Sequence, residues 1–299
     1  MSIDQCRGAP WRRRGPVRCC ARRTHLRAWV ALGILSALAA CATGPRIDTR
    51  YTAVSQDSRV RFIIIHYTQI DFEGSLRRLT REEVSSHYLV NRDPPTIYRL
   101  VPEERRAWHA GPSYWQGLTG LNASSVGIEI VNLGNGDQPD RPYEPFPPAQ
   151  IDSVIALVSD IQRRHAVRPD HILGHAEVQP QTRTDPGPQF PWRRLADAGL
   201  IPWPDEQQVV AAEDHWRSAL PSAAWWQEHL AAHGFDVPHS GVLDAETCRV
   251  IAVFQMRYRP ARYDGEPDAQ TAAVLEVVTS PGGLRLRGKD GAWSVFGPE

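Results

Sequence analysis

The chain has 299 residues, more than one average domain, so its length suggests two domains with additional segments. Its formal net charge is zero, but residues 1–40 contain eight arginines against one acidic residue, and the remainder has 26 basic and 33 acidic side chains. A mildly acidic body lacks the clustered cations that a phosphate backbone requires, so no nucleic-acid partner is expected.

Residues 1–40 have the pattern of a signal peptide. The arginine-rich start is followed by AWVALGILSALAA, residues 28–40, an apolar segment too short to cross a bilayer stably. The segment runs into LAAC, which resembles the bacterial lipobox, in which a cysteine after small residues is acylated and becomes the new N-terminus. We therefore expect a lipid anchor at Cys41; a signal peptide followed by an incidental cysteine is the alternative.

Removal of the signal peptide leaves two cysteines, Cys41 and Cys248, and therefore no disulfide framework. An exported chain without disulfides is expected to fold on its apolar core and a metal site. Residues 41–58 are polar and lack periodicity, which is typical of a tether between an anchor and a folded body.

In residues 59–200 strands and helices are predicted to alternate irregularly, which favours an α/β domain with a mixed β-sheet flanked by helices. The apolar positions of 148–165 are spaced by three and four, so this is the most regular predicted helix. The other predicted helices are 73–83 and 191–200, and the predicted strands are 61–65, 84–93, its hairpin partner TIYRLVPEE, 124–132 and 168–175.

The C-terminal part is predicted to be a small three-helix domain. Residues 201–220 contain proline and tryptophan and are expected to be a linker, and the Gly-rich residues 280–299 a flexible tail. Between them, helices are expected near 222–233, 245–259 and 269–278. The last two follow GVLDAET and GEPDAQT, a repeat in which Asp244 and Asp268 are predicted N-caps.

A metal-ligand set is suggested by GHAEVQPQTRTDPGPQFPW, residues 174–192, which carries His175 and Asp185 on one connector. His66, at the end of the first predicted strand, is the best third candidate. Two histidines and one carboxylate are the ligands of catalytic zinc sites, which keep a fourth position open. The alternative for each of the three residues is an ordinary polar residue of the core or surface.

Three further residues are candidates for chemistry. Glu129 lies between two isoleucines of a predicted strand, where apolar surroundings raise the pKa of a carboxylate and suit it to act as a base; a solvent-facing glutamate is the alternative. Arg183 keeps its charge and suits stabilisation of an oxyanion, although it could equally be a surface arginine. His109, in the aromatic loop AWHAG, is expected to contact a sugar or peptide, or to be structural.

The other histidines are expected to lack a role in chemistry. His87 is predicted to be buried and hydrogen-bonded, and five others are predicted to lie at the surface: His165, His215, His229, His233 and His239.

The segments RFIIIHYT, VSSHYLV, IYRLVPEERRAWHAG, SSVGIEIVN and GHAEVQPQTRTDPGPQFPW, in this order, resemble the zinc-dependent N-acetylmuramoyl-L-alanine amidases over residues 60–200. Residues 221–279 resemble the peptidoglycan-binding domain appended to some of them. The resemblance implies the AmpD-like amidase fold, a Zn2+ ion held by His66, His175 and Asp185, and Glu129 as the catalytic carboxylate. At position 183 the family usually has lysine, and the planar guanidinium of Arg183 is not a neutral replacement.

The function implied by this resemblance is hydrolysis of the amide bond between N-acetylmuramic acid and L-alanine in peptidoglycan or its muropeptides, in cell-wall degradation or recycling. The enzyme would be a monomer at the periplasmic face of the outer membrane, anchored by lipid at Cys41. One alternative is a catalytically weak peptidoglycan-binding receptor of the same fold, in which Arg183 in place of lysine has impaired catalysis. Another is a structural lipoprotein that tethers membrane to wall through residues 221–279.

Overall fold

A computed structural model describes residues 44–136, 138 and 140–297. The predicted signal peptide and the lipidation site Cys41 lie outside the described residues. The chain divides into two units after Gln56, and the described part of the first unit, residues 44–56, contains no helix or strand. No helix in the described ranges is both long and apolar enough to cross a bilayer.

The second unit is built on a five-stranded sheet. In chain order the strands of this part of the chain are β1 (Phe62–Tyr67), β2 (Tyr88–Val90), β3 (Ile97–Arg99), β4 (Tyr114–Trp115), β5 (Leu118–Thr119), β6 (Ser125–Ile130) and β7 (Ile172–Gly174). Five of them form the sheet, in the spatial order β3-β2-β6-β1-β7. Strand β1 pairs in parallel with β6 and β7, β2 pairs in parallel with β6, and β2 and β3 form an antiparallel hairpin. A separate two-stranded pair, β4 and β5, precedes β6.

Helices cover the sheet, as the predicted mixed α/β fold requires. The first four are α1 (Phe72–Arg81), α2 (Pro148–His165), α3 (His175–Val178) and α4 (Trp192–Asp197). The apolar face of α2 packs on one side of β1, against Ile63 and Ile65. Because neighbouring side chains of a strand point to opposite faces, Phe62 and Ile64 lie on the other side. Every residue of β1 is buried, which explains its uninterrupted apolar run.

The three predicted C-terminal helices are present and pack on that second face of the sheet. Phe62, Ile64 and Leu173 share one apolar cluster with Trp226 and Phe254 of these helices. Including the helix before them, they are α5 (Glu206–Trp216), α6 (Ala223–His233), α7 (Ala245–Tyr258) and α8 (Ala269–Thr279). The C-terminal helices and the sheet are therefore joined by a common core.

The sequence repeat is also a structural repeat. Asp244 and Asp268 cap α7 and α8, each accepting a hydrogen bond of 2.8 Å from the backbone N–H of the threonine three residues later. A buried glutamine then contacts each repeat: Gln227 accepts from the Gly241 N–H and donates to Thr247 Oγ1, and Gln255 does the same with Gly265 and Thr271.

The structure corrects two expectations about irregular segments. Residues 201–220 contain β8 (Trp203–Pro204) and α5, and residues 280–299 contain β9 (Leu284–Arg287) and β10 (Trp293–Phe296). These strands form one antiparallel sheet in the order β10-β9-β8. Gly288 and Gly291 lie in the turn between β9 and β10, where Gly291 has a φ of +82°. The predicted linker and flexible tail are therefore largely ordered elements.

Candidate metal and catalytic site

Three neighbouring parallel strands bring the predicted site residues to one edge of the sheet. His66 on β1 is the register partner of Glu129 on β6. Ile65 is the partner of Gly174, the last residue of β7, so that His175 follows at the same edge. The carboxyl ends of parallel strands meet at one edge, where α/β folds commonly build their sites.

The donor atoms of His66, His175 and Asp185 converge. Asp185 Oδ2 lies 3.0 Å from His66 Nδ1 and 3.1 Å from His175 Nδ1, and one ligand atom from each residue lies within 4.8 Å of the others. Tetrahedral zinc ligands at about 2.0–2.2 Å from the ion are separated by roughly 3.3–3.6 Å. All three side chains are buried. The three residues therefore fit a single divalent ion.

The protonation states of His66 and Asp185 also suit a metal. Burial, reinforced by the neighbouring His175, lowers the pKa of His66 to about 4. Burial alone would raise the pKa of Asp185, but the charges and hydrogen bonds of His175 and His66 outweigh it and hold the pKa well below its usual range. Neutral imidazole and ionised carboxylate are the forms that coordinate a cation.

Glu129 lies beside the three residues in the same cavity. Its Oε2 is buried and has no hydrogen-bond partner among the described residues. Burial raises the pKa of Glu129 well above its ordinary value, and the negative charge of Asp185 adds to this shift. A carboxyl group that holds its proton more tightly than usual can both accept and return a proton near neutral pH.

Arg183 lines the mouth of the cavity and is exposed. Its Nε donates to Gln179 Oε1 at 3.3 Å, and Gln179 in turn donates to the carbonyl of Pro112. The guanidinium thus lies in the same cavity as the candidate metal ligands, as required of a cation that would stabilise an oxyanion there.

His109 is buried rather than displayed on an open loop. Its Nδ1 lies 3.0 Å from His66 Nε2, and its Nε2 lies 3.1 Å from Ser125 Oγ. The side chain is therefore a hydrogen-bond partner of His66, and it also lines the cavity, so its expected contact with a substrate stays a prediction. Gly127 is the sequence feature that could have indicated this packing, since a glycine within a strand often marks the close approach of another group. A Cβ at Gly127 would lie 2.5 Å from the His109 ring.

The remaining histidines differ in part from expectation. His87 is fully buried, as predicted, and its Nδ1 accepts from the Gly127 N–H at 3.0 Å. His233, predicted at the surface, packs against Trp115, Phe235 and Phe254. Burial lowers the pKa of His233 to about 3.

The cavity has a volume of about 340 Å3. Among the lining residues that the sequence did not suggest are Arg78 on α1 and Trp108 next to His109. Trp108 is 52% exposed, and the Arg106 guanidinium lies 4.0 Å from its ring centroid. An exposed indole at the cavity is suited to contact a sugar or a peptide.

The chain matches a family model described as N-acetylmuramoyl-L-alanine amidase over residues 56–188 and one described as a peptidoglycan-binding domain over residues 221–275. It is 43% identical over 243 residues to the N-acetylmuramoyl-L-alanine amidase AmiD of Escherichia coli strain K12, which covers 79% of this chain and 88% of the relative. It is 34% identical over 112 residues to the 1,6-anhydro-N-acetylmuramyl-L-alanine amidase AmpD of Enterobacter cloacae, which covers 38% of this chain and 55% of that relative.

Two similar solved structures contain ligands. A complex of E. coli AmiD with the substrate anhydro-N-acetylmuramic acid-L-Ala-D-γ-Glu-L-Lys has a TM-score of 0.70 at 41% identity, covering 78% of this chain and 93% of that one. AmpDh3 of Pseudomonas aeruginosa in complex with anhydromuramic pentapeptide has a TM-score of 0.72 at 34% identity, covering 78% of this chain and 96% of that one. Both likenesses extend over the sheet and the C-terminal helices, so the predicted fold is confirmed.

Proposed function

Because the chain belongs to the N-acetylmuramoyl-L-alanine amidase family, we propose that it hydrolyses the amide bond between N-acetylmuramic acid and L-alanine with the help of a zinc ion. Its substrates are peptidoglycan and muropeptides, and two similar structures hold anhydromuramyl peptides, so we include the anhydro form. The observation that carries the proposal is the convergence of His66, His175 and Asp185 beside the half-buried Glu129 in one cavity.

The three convergent side chains would hold the metal. A zinc ion there supplies Lewis-acid polarisation of the substrate carbonyl and acidifies a water molecule. Asp185 contributes the negative charge and the two histidines contribute neutral nitrogen donors. His109 fixes the ring of His66 through its Nε2 atom, as partners of metal-ligating histidines usually do.

Glu129 carries the proton in the proposed reaction. It accepts a proton from the attacking water while the new C–O bond forms at the carbonyl carbon. It then donates that proton to the alanine nitrogen as the C–N bond breaks. The products are the free lactyl carboxyl group of the sugar and the free amino group of the peptide.

Arg183 is proposed to stabilise the transition state electrostatically. Negative charge develops on the carbonyl oxygen during attack, and a fixed cation aimed at that oxygen lowers the barrier. Its hydrogen bond to Gln179 positions the guanidinium over the cavity without neutralising its charge.

The location follows from the substrate. An amidase that acts on peptidoglycan and carries a peptidoglycan-binding domain works in the periplasm or at the cell wall. We further propose a monomer at the periplasmic face of the outer membrane, anchored by lipid at Cys41. Residues 44–56, which have no helix or strand, suit the role of a tether.

The proposal is tested by incubating the purified protein with an anhydro-N-acetylmuramyl peptide and analysing the products by mass spectrometry. Glu129→Ala is expected to lower the release of free stem peptide by at least ~10²-fold while zinc stays bound. His175→Ala is expected to lose both zinc and activity, and His239→Ala, at an exposed histidine, to lose neither.

Retention of more than about a hundredth of the activity in Glu129→Ala would contradict the assigned base. Wild-type protein that binds the peptide but never cleaves it would instead identify the receptor alternative. Wild-type protein that binds no zinc would contradict the metal assignment.

A further inference from the structure

A buried cation of the C-terminal helices reaches the catalytic sheet. Arg257, on α7, is 5% exposed, and its Nη1 lies 2.7 Å from Glu177 Oε2 and 3.2 Å from the carbonyl oxygen of Ile172. Its Cζ lies 4.2 Å from the ring centroid of Trp192. Arg257 belongs to the segment that matches a peptidoglycan-binding domain, whereas Glu177 and Ile172 belong to the amidase segment.

The partner of this cation lies two residues after the candidate metal ligand His175. Glu177 Oε2 also accepts a hydrogen bond of 2.7 Å from the backbone N–H of Gly174, the residue before His175. One carboxylate oxygen therefore receives both Arg257 and the backbone at the start of α3. This pair of contacts fixes the turn that presents His175.

The same turn is also packed against Pro186 and Trp192. A Cβ on Gly174 would lie 2.7 Å from Pro186 Cδ and 3.2 Å from Trp192 Cζ2, so there is no free space around this residue. The Ala176 N–H donates to the carbonyl of Asp185 at 2.8 Å. The turn therefore couples the backbone at two of the three candidate ligands, His175 and Asp185.

A buried ion pair depends on both of its members. Removing the cation takes away the group that holds the Glu177 carboxylate at the turn and leaves its charge unpaired in a dry environment, which favours movement of the carboxylate toward solvent. This movement would weaken the hydrogen bond that Glu177 accepts from the Gly174 N–H. The orientation of His175 would then be less well defined.

We propose that Arg257 is a positioning residue for the metal site, acting through Glu177 on the turn that presents His175. The C-terminal helices would thus be part of the catalytic centre as well as a wall-binding element. This inference rests on the proposed function in taking His175 as a metal ligand. It adds that the affinity of the amidase site for metal depends on a residue outside the amidase segment.

The test uses the full chain with Arg257→Met, whose side chain is uncharged and of similar length. Zinc affinity is measured by competition with a chelator, and the ligand arrangement by the visible absorption spectrum of the cobalt(II)-substituted protein. Loss of an interaction behind a metal ligand typically lowers metal affinity by about 10–100-fold. We expect a loss in this range and a changed cobalt spectrum.

The matched control is Arg259→Met, at the C-cap of the same helix. Arg259 is also largely buried and ion-paired, but its partner is Asp268 at 2.6 Å, within the C-terminal helices. This variant removes the same charge and is expected to lower the melting temperature without changing zinc affinity or the cobalt spectrum. A purely structural role for Arg257 would make the two variants alike, and that result would overturn the proposal.

Two further variants keep the test decisive. In the double variant Glu177→Gln/Arg257→Met the glutamine oxygen can still accept a hydrogen bond from the Gly174 N–H, and no charge is left unpaired. Zinc affinity should therefore return toward the wild-type value. A double variant that binds zinc as weakly as Arg257→Met would contradict an effect that acts through Glu177. If Arg257→Met does not fold, Arg257→Gln, which also removes the charge, replaces it, and zinc affinity equal to wild type would then count against the proposal. Wild-type protein without zinc affinity would instead refute the proposed function.

Discussion

Gly127→Ala should disturb the metal site through His109, although it adds only one methyl group to a strand. Gly127 lies on β6, and a Cβ there would lie 2.5 Å from His109 Cγ and 2.7 Å from its Cδ2 and Nδ1. The His109 imidazole cannot move away easily, because it is hydrogen-bonded to His66 and Ser125. The backbone of His109 is also held, since its N–H donates to the side chain of Asn122.

The expected cost has two parts. Overpacking a buried site typically lowers the free energy of unfolding by about 1–3 kcal/mol. Displacement of His109 also removes the partner of His66 Nε2, which should weaken zinc binding by about 10–100-fold. The first part is measured by urea unfolding of the zinc-free protein, and the second by competition with a chelator.

A double-mutant cycle with His109→Ala tests the physical cause. In the His109→Ala background the ring that the new methyl group would meet is absent, so Gly127→Ala should cost less than about 0.5 kcal/mol. An equal cost in both backgrounds would refute the steric explanation and leave only an intrinsic effect of alanine at this strand position.

Three further outcomes are expected. Arg183→Ala should lower kcat by about 10²-fold, whereas Arg183→Lys, which keeps the charge, should stay within about tenfold of wild type in a muropeptide assay. Burial alone would raise the pKa of Glu103, but hydrogen bonds from Arg164, His165 and Tyr88 lower the pKa to about 2. The ionised carboxylate therefore stabilises the fold above pH ~4.5, and this stabilisation is lost as the pH falls toward 2. Glu103→Gln should cost about 2 kcal/mol at pH 7, and the urea midpoints of variant and wild type should approach each other below pH ~4. Gln227→Leu and Gln255→Leu should each cost about 1–3 kcal/mol in urea unfolding, because the same buried contacts are lost in both repeats; a clear difference between the two would argue against their equivalence.

Local patterns predicted most of the helices, although α5 lies in the segment that was expected to be a linker. The three- and four-residue spacing of apolar side chains predicted residues 148–165 as a helix, and α2 has these bounds. The aspartates of the repeat predicted two helix starts, and both side chains form the cap. The strands of two to four residues near the C-terminus have too few residues for a periodic signal, so β8, β9 and β10 were missed.

The site was predictable to the extent that residue type determines it. His66, His175 and Asp185 were proposed because two histidines and a carboxylate suit zinc, and the structure gathers them. The supporting contacts depend on long-range pairing that no local pattern contains. The sequence neighbours of His109 do not reveal its hydrogen bond to His66, whereas its place in the lining of the cavity agrees with the expected region. Arg257 was not noticed, since a charged residue on a helix normally indicates a solvent-facing side chain.

The parallel register of the sheet has a consequence for the order of folding. His66, Glu129 and Gly174 come from distant parts of the chain and become neighbours only when β6 and β7 have both joined β1. Contacts of such long sequence separation form late, because closing large loops is entropically costly. A folding intermediate with only local hairpins and helices would therefore lack the assembled metal site. Metal binding during refolding should report the pairing of both β6 and β7 with β1.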